Sequence, residues 1–228
     1  MIIMSSQLFS FELKVKEEKF NTLVVENKVL FRRIIKSIND QILGDEGDVI
    51  ISKDYTPIDF YGNVELILNP FNLDCNSKKT QSKISSELKK IIHNSSYENR
   101  INIITTEFNK VASDLVQEFS FPSITNNEIE SSNILKLLSF QIEPRDELLS
   151  VIIDYCNTKI LSEGIKVFVF VNLKTFLSII EFETLLNQFI YDKIPAIFIE
   201  SSIKNEELTS LENVFIIDEE LCEIYSDN

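Results

Sequence analysis

Three runs near the C-terminus constrain the fold most: Lys166–Asn172 (KVFVFVN), Ile194–Glu200 (IPAIFIE) and Val214–Glu219 (VFIIDE). Each is apolar at nearly every position rather than at alternate ones. A strand of that kind must be buried on both faces, which is the condition of a strand inside a parallel sheet layered by helices. Helical patterns lie before and after the first run. One spans about Glu147–Leu161 and ends at Gly164, a residue suited to the left-handed position after a helix; another covers Ile179–Tyr191. Strand, helix and strand in alternation predict an α/β fold with a mostly parallel sheet.

The N-terminal third adds to the same layer. Phe9–Val15 (FSFELKV) alternates, Phe20–Glu26 (FNTLVVE) is a second strand, and Val29–Ile42 is a helix with Leu30, Ile34 and Ile38 on one face. The short runs DVIIS (48–52) and VELILN (64–69) read as strands, and Asn69–Pro70 closes the section. Between the two α/β parts, Asn76–Glu118 carries no strand signal. It reads as a long helix broken near His93–Ser96, where Asn and Ser side chains compete for backbone hydrogen bonds. Its second half places Ile101, Ile104, Phe108, Val111 and Leu115 at three-four spacing, a narrow seam fit for one other helix of this chain or of a partner. A polar connection leads to a short helix at Ile134–Leu138. The organisation expected is a head of residues 1–71 and 143–228, with a helical leg of residues 72–142 inserted.

The chain has 228 residues, 44% apolar and 25% charged, as ordinary globular proteins do. No apolar stretch is long enough to span a bilayer and the N-terminus lacks the basic and apolar regions of a signal peptide, so a cytoplasmic protein without membrane contact is expected. Cys75, Cys156 and Cys222 are odd in number and far apart, and the lone His93 is near none of them, which disfavours disulfides and zinc.

Catalytic chemistry finds no residues to carry it. A phosphate-cradling loop needs several glycines with a lysine and a hydroxyl. The only clustered glycines lie in Gly44–Asp48 (GDEGD), where three carboxylates would repel phosphate. The strand KVFVFVN ends in Asn172, which cannot neutralise a magnesium ion and reads as a cap for the segment that follows. His93 sits at a polar helix break outside any triad pattern. The expectation is no enzyme and no nucleotide.

The charge distribution is more informative. The net charge is −14, from 22 basic and 36 acidic residues. Between Cys75 and Lys110 the sign reverses: Lys78, Lys79, Lys83, Lys89, Lys90, Arg100 and Lys110 face only Glu87, Glu98 and Glu107, a local +4 against −18 for the rest. On a helix, Lys79, Lys83 and Lys90 fall within roughly 40° of one another, with Lys78 and Lys89 beside them. Ile84, Leu88, Ile91 and Ile92 gather opposite. Two readings follow: a solvated lysine face, or a surface about 25 Å long that tracks duplex phosphates without reading sequence. No aromatic residue interleaves the lysines, which disfavours single-strand stacking. Arg32–Arg33 could extend the surface.

The ordered set of segments ILKLLSFQIE, DELLSVIIDYCNTKIL, KVFVFVN, FETLLNQFIYDKI, PAIFIES and NVFIIDEELCEIY, together with FSFELKV, FNTLVVE and VELILNPFNLD, resembles the short form of the Csn-two family of type II-A CRISPR adaptation accessory proteins. That resemblance covers nearly the whole chain. It implies a degenerate P-loop-NTPase-like head with a helical leg, a homotetrameric ring whose basic inner surface holds double-stranded DNA taken up from ends, and help to the adaptation integrase and the RNA-guided effector nuclease in spacer acquisition. It also implies calcium. Here Glu118, Glu128 and Glu130 are the carboxylates that would hold it, while Ser123, Thr125, Asn126 and Asn127 offer only neutral oxygens, which bind Ca2+ weakly. The alternative from the −18 remainder is an acidic protein–protein adaptor of the adaptation complex with incidental DNA contact.

Overall fold

The computed structural model describes residues 2–15, 19–119, 126–131, 133, 140–204 and 208–226. The chain divides into two compact units, residues 1–75 with 144–228, and residues 76–143. No helix among the described residues is long and apolar enough to cross a membrane.

The first unit is α/β. Its elements are β1 (Ile2–Ser6), β2 (Leu13–Val15), β3 (Phe20–Val25), α1 (Lys28–Ile42), β4 (Val49–Lys53), β5 (Thr56–Pro57) and β6 (Val64–Ile67), then α4 (Leu148–Glu163), β7 (Val167–Val171), α5 (Ile179–Asp192), β8 (Ala196–Glu200), β9 (Glu212–Ile217) and β10 (Glu223–Ser226). Among the described residues the strands form a six-stranded sheet in the order β10-β9-β3-β8-β7-β6 and a four-stranded sheet in the order β2-β1-β4-β5. In the larger sheet every neighbouring pair is parallel except β9 with β10. The α/β reading with a mostly parallel sheet holds.

The period of two inside VFVFV shows why both faces are covered. Val167 and Val169 point to one side, joining Leu23, Val25, Ile197 and Ile199 beneath Ile34 and Ile38 of α1 and beneath Met4, Leu13 and Ile51 of the small sheet. Phe168 and Phe170 point to the other, where Phe198, Phe182 and Phe189 join Ile152 and Cys156 of α4. Phe170 stacks on Phe198 at 5.5 Å between ring centroids, and Phe182 meets Phe198 edge-on at 5.0 Å. Each buried phenylalanine contributes about 1.5–3 kcal/mol of apolar transfer, so this face is a principal anchor of the unit. Helix ends follow their local chemistry. Gly164 closes α4 at φ 76°, and Ser178 with Glu181 forms a reciprocal capping box at the start of α5.

The N-terminus departs from the expectation. Only Leu13–Val15 of FSFELKV is a strand, because the backbone N–H of Ser10 is taken by the Glu223 carboxylate at 2.7 Å rather than by a ladder. Phe9 and Phe11 turn inward and stack at 5.0 Å, and Phe11 reaches Phe215. The strand that the sequence does not announce is Ile2–Ser6, which pairs with both β2 and β4. The Gly44–Asp48 stretch links α1 to β4 and is exposed from Gly44 to Gly47. A Cβ at Gly47 would meet Ser37 Oγ at 2.5 Å and Gln41 Oε1 at 2.6 Å, so the glycine there serves packing.

The second unit is helical: α2 (Lys78–His93) and α3 (Tyr97–Glu118) pack on each other, broken at 94–96. Amide side chains tie the later segments to these helices. Asn109 exchanges two hydrogen bonds with the backbone of Ile129, at 2.9 and 3.0 Å. Asn76 does the same with Ile142, at 2.8 and 3.0 Å. The expected helix at Ile134–Leu138 lies outside the described residues.

Candidate nucleic-acid interface

The basic helix begins at Ser77, whose hydroxyl accepts the Thr80 N–H at 3.3 Å, and Thr80 is buried beneath the first turn. Burial of Thr80 and partial burial of Ile84, Leu88 and Ile92 turn the opposite side of α2 outward. Lys78, Lys79, Lys83, Lys89 and Lys90 are all exposed, as are Arg100 and Lys110 on α3. Ile91 differs from the expected core face: it is 55% exposed near the helix end.

Side-chain partners divide the seven. Lys83 and Lys90 both reach Oε1 of Glu87, at 3.3 and 2.9 Å. Lys110 is tied to Glu107 at 2.7 Å, a contact that raises its pKa. Arg100 lies 5.9 Å over the ring of Tyr97. Lys78 and Lys89 have no ion-pair partner among the described residues. His93 is 80% exposed and stands 3.4 Å from Glu98, as a solvated residue does. On the other unit, Arg33 grips Asp48 through Nε at 3.1 Å and Nη2 at 2.9 Å, while Arg32 is exposed.

Glu118, Glu128 and Glu130 are exposed, and among the described residues no group of three or more His, Cys, Asp or Glu side chains is placed to hold a metal ion. These three carboxylates therefore do not fit a calcium site by themselves. Ser123 and Thr125 lie outside the described residues.

The carboxyl ends of the parallel strands, where α/β proteins commonly place ligands, are occupied differently. Only Glu26 and Asn27 connect β3 to α1. The Asn27 side chain accepts the N–H groups of Val29 and Leu30 at 3.1 and 3.0 Å, filling the helix start that would otherwise face an anion. An open cleft of about 420 Å³ beside it is lined by Glu26 and Glu219 along with Lys28, Ser201 and Ser202. Asn172 has φ 53° and caps no helix with its side chain; its Oδ1 instead accepts the Ser201 N–H at 2.8 Å, pinning the end of β7 to the end of β8.

Composition and spacing leave two features unseen. One is a buried charge network in which Lys174, just past β7, reaches Glu212 at the start of β9 across the sheet face. The only trace of it in the sequence is a charged residue at the edge of each apolar run. The other is Glu87, which helical projection places on the flank of the lysine row, roughly 40° from Lys83.

Among solved structures, the chain is similar to cbiO1 from Clostridium perfringens, part of the ABC transporter complex cbiONQ, at 14% identity, covering 92% of this chain and 77% of that one with a TM-score of 0.45. It is also similar to a nucleotide-free ATP-binding cassette from an ABC transporter at 9% identity, over 100% and 92% of the two chains with a TM-score of 0.47. No curated protein matches it. The family model of the CRISPR-associated protein (Cas_Csn2) matches residues 41–221, from the end of α1 through β9, and the chain belongs to that family.

Proposed function

We propose that this CRISPR-associated chain is a non-catalytic protein of spacer acquisition that binds double-stranded DNA without sequence preference, from ends, as a homotetrameric ring in the cytoplasm. The observation that carries this reading is the row of five exposed lysines along one 16-residue helix of a chain whose net charge is −14. An acidic protein with one basic helix directs a polyanion to that helix. Ionic contacts with no base-reading element follow the backbone, not the sequence. The self-assembly in this proposal is supported by the exposed apolar seam of α3, where Ile104, Phe108, Val111 and Leu115 are each more than half exposed. The absence of catalysis is supported by the two-residue β3–α1 connection, whose helix start is already capped by Asn27. The adaptation integrase and the effector nuclease are its proposed partners in the pathway.

The test compares linear and covalently closed circular duplex in a gel shift at low and moderate salt, with calcium or chelator. The expected result is binding to linear DNA alone, weakening steeply with salt and lost when Lys79, Lys83 and Lys90 are changed to Glu. Equal binding to both forms would replace the ring with an open patch. Absence of binding in every condition would favour the acidic adaptor, a reading that the −18 charge outside residues 75–110 motivates.

A further inference from the structure

Glu87 is the only acid on α2, and it lies against the surface proposed to meet DNA. Its Oε1 is shared by two ammonium groups, Lys83 one turn before it and Lys90 one turn after. The Lys90 hydrogen bond, then that of Lys83, hold its carboxyl below the ordinary range, so it is ionised throughout the neutral pH range. All three side chains are close to half exposed or more. Ion pairs of that kind on a helix surface are weak and exchange readily.

We infer that Glu87 is an intrinsic competitor of the DNA backbone, a carboxylate that occupies Lys83 and Lys90 in the free protein and must give both up when duplex phosphates arrive. The inference rests on the duplex-binding reading and deepens it. One carboxylate is shared by two of the five lysines on α2 and cancels one of their two charges, so docking a phosphate on them displaces an anion and leaves Glu87 beside the new negative charge. Affinity is thereby held below what the lysine count alone would give. Lys78 and Lys89, on the flank away from Glu87, stay available for first contact.

The experiment is a duplex titration of the full-length protein by fluorescence anisotropy, with Glu87→Gln, Lys83→Ala/Lys90→Ala and the triple combination. Gln keeps the size and helix preference of Glu, and far-UV circular dichroism verifies that α2 is intact. Glu87→Gln is expected to tighten binding about fivefold at low salt and to steepen the dependence of log Kd on log salt by about one. The gain is expected to vanish in the triple variant, whereas Glu98→Gln, which faces His93, should change little. A gain that persists without the two lysines would mean bulk charge and overturn the inference. Wild-type affinity in Glu87→Gln, with weakened binding in the double alanine variant, would overturn it while leaving duplex binding by the lysine face standing. Duplex affinity unchanged in every variant would remove both.

Discussion

Lys174 Nζ and Glu212 Oε2 are 2.8 Å apart with side chains 5% and 0% exposed, the most deeply buried ion pair among the described residues. Glu212 also accepts hydrogen bonds from the hydroxyls of Thr22 and Thr209, and the Lys174 ammonium sits 4.6 Å above the Phe182 ring. The lysine thus ties the segment after β7 to the first residue of β9 across the face where the phenylalanines pack. Removing one partner strands the other charge in a low-dielectric site. Lys174→Ala is expected to destabilise the protein by about 3–5 kcal/mol, read as a lowered urea midpoint at unchanged slope. The pair Lys174→Met with Glu212→Leu should lose less than the two single changes summed, because neither member of the ion pair is then left charged without the other.

Glu200, at the end of β8, gives a pH signature. It is 2% exposed, and burial pushes its pKa up from 4.5 to about 7 against the Lys174 and Leu173 N–H groups and the Lys174 charge, which favour ionisation. The folded state therefore holds a proton that the unfolded chain releases. That contribution to stability is fully present below pH 4.5 and is lost as pH rises towards 7, a change on the order of 3 kcal/mol. Glu200→Gln removes the titration, so the variant should gain on wild type between pH 5 and pH 8 in denaturant melts at each pH. A difference that does not vary with pH would mean that Glu200 is ionised in the fold throughout.

The contrast between these charges and the strands around them shows what a sequence makes legible. VFVFV and AIFIE announce themselves because burial on two faces leaves no polar position, and Gly164 because a helix stop needs a left-handed residue. The break expected near His93–Ser96, found between His93 and Tyr97, is legible for a similar reason, since the competing hydrogen bonds are local. Lys174, Glu200 and Glu212 are not legible, because their pairing depends on which strands become neighbours: β9 lies beside β3, not beside β8, which precedes it in the sequence. The lysine row on α2 can be projected from helical spacing, whereas which lysines Glu87 engages at i, i+4 and i, i+3 is set by side-chain conformation, which the spacing alone does not give. Phe9 and Phe11 are the opposite case. Their alternation suits a strand, but a side chain 213 residues away, Glu223, takes the backbone N–H between them.

The seam on α3 makes the remaining prediction. Ile101, Ile104, Phe108, Val111 and Leu115 recur at three and four residues, the spacing of a surface that meets one other helix. Ile101 is partly buried within its own unit, whereas Ile104 (56%), Phe108 (52%), Val111 (57%) and Leu115 (58%) are exposed. A second copy of the chain seated on this seam would remove those side chains from water, each contributing about 1.5–3 kcal/mol if fully covered. Phe108→Lys with Val111→Lys would place two ammonium groups in that interface and is expected to weaken self-association by about two orders of magnitude or more. Sedimentation velocity should then show wild type as an oligomer and the variant as a monomer at micromolar concentration. The urea midpoint of the monomeric variant should stay within reach of the wild-type protomer, because neither residue is buried within a single chain. An oligomer that survives the double substitution would place the self-interface elsewhere, and a variant that unfolds would mean that the seam is needed by its own unit.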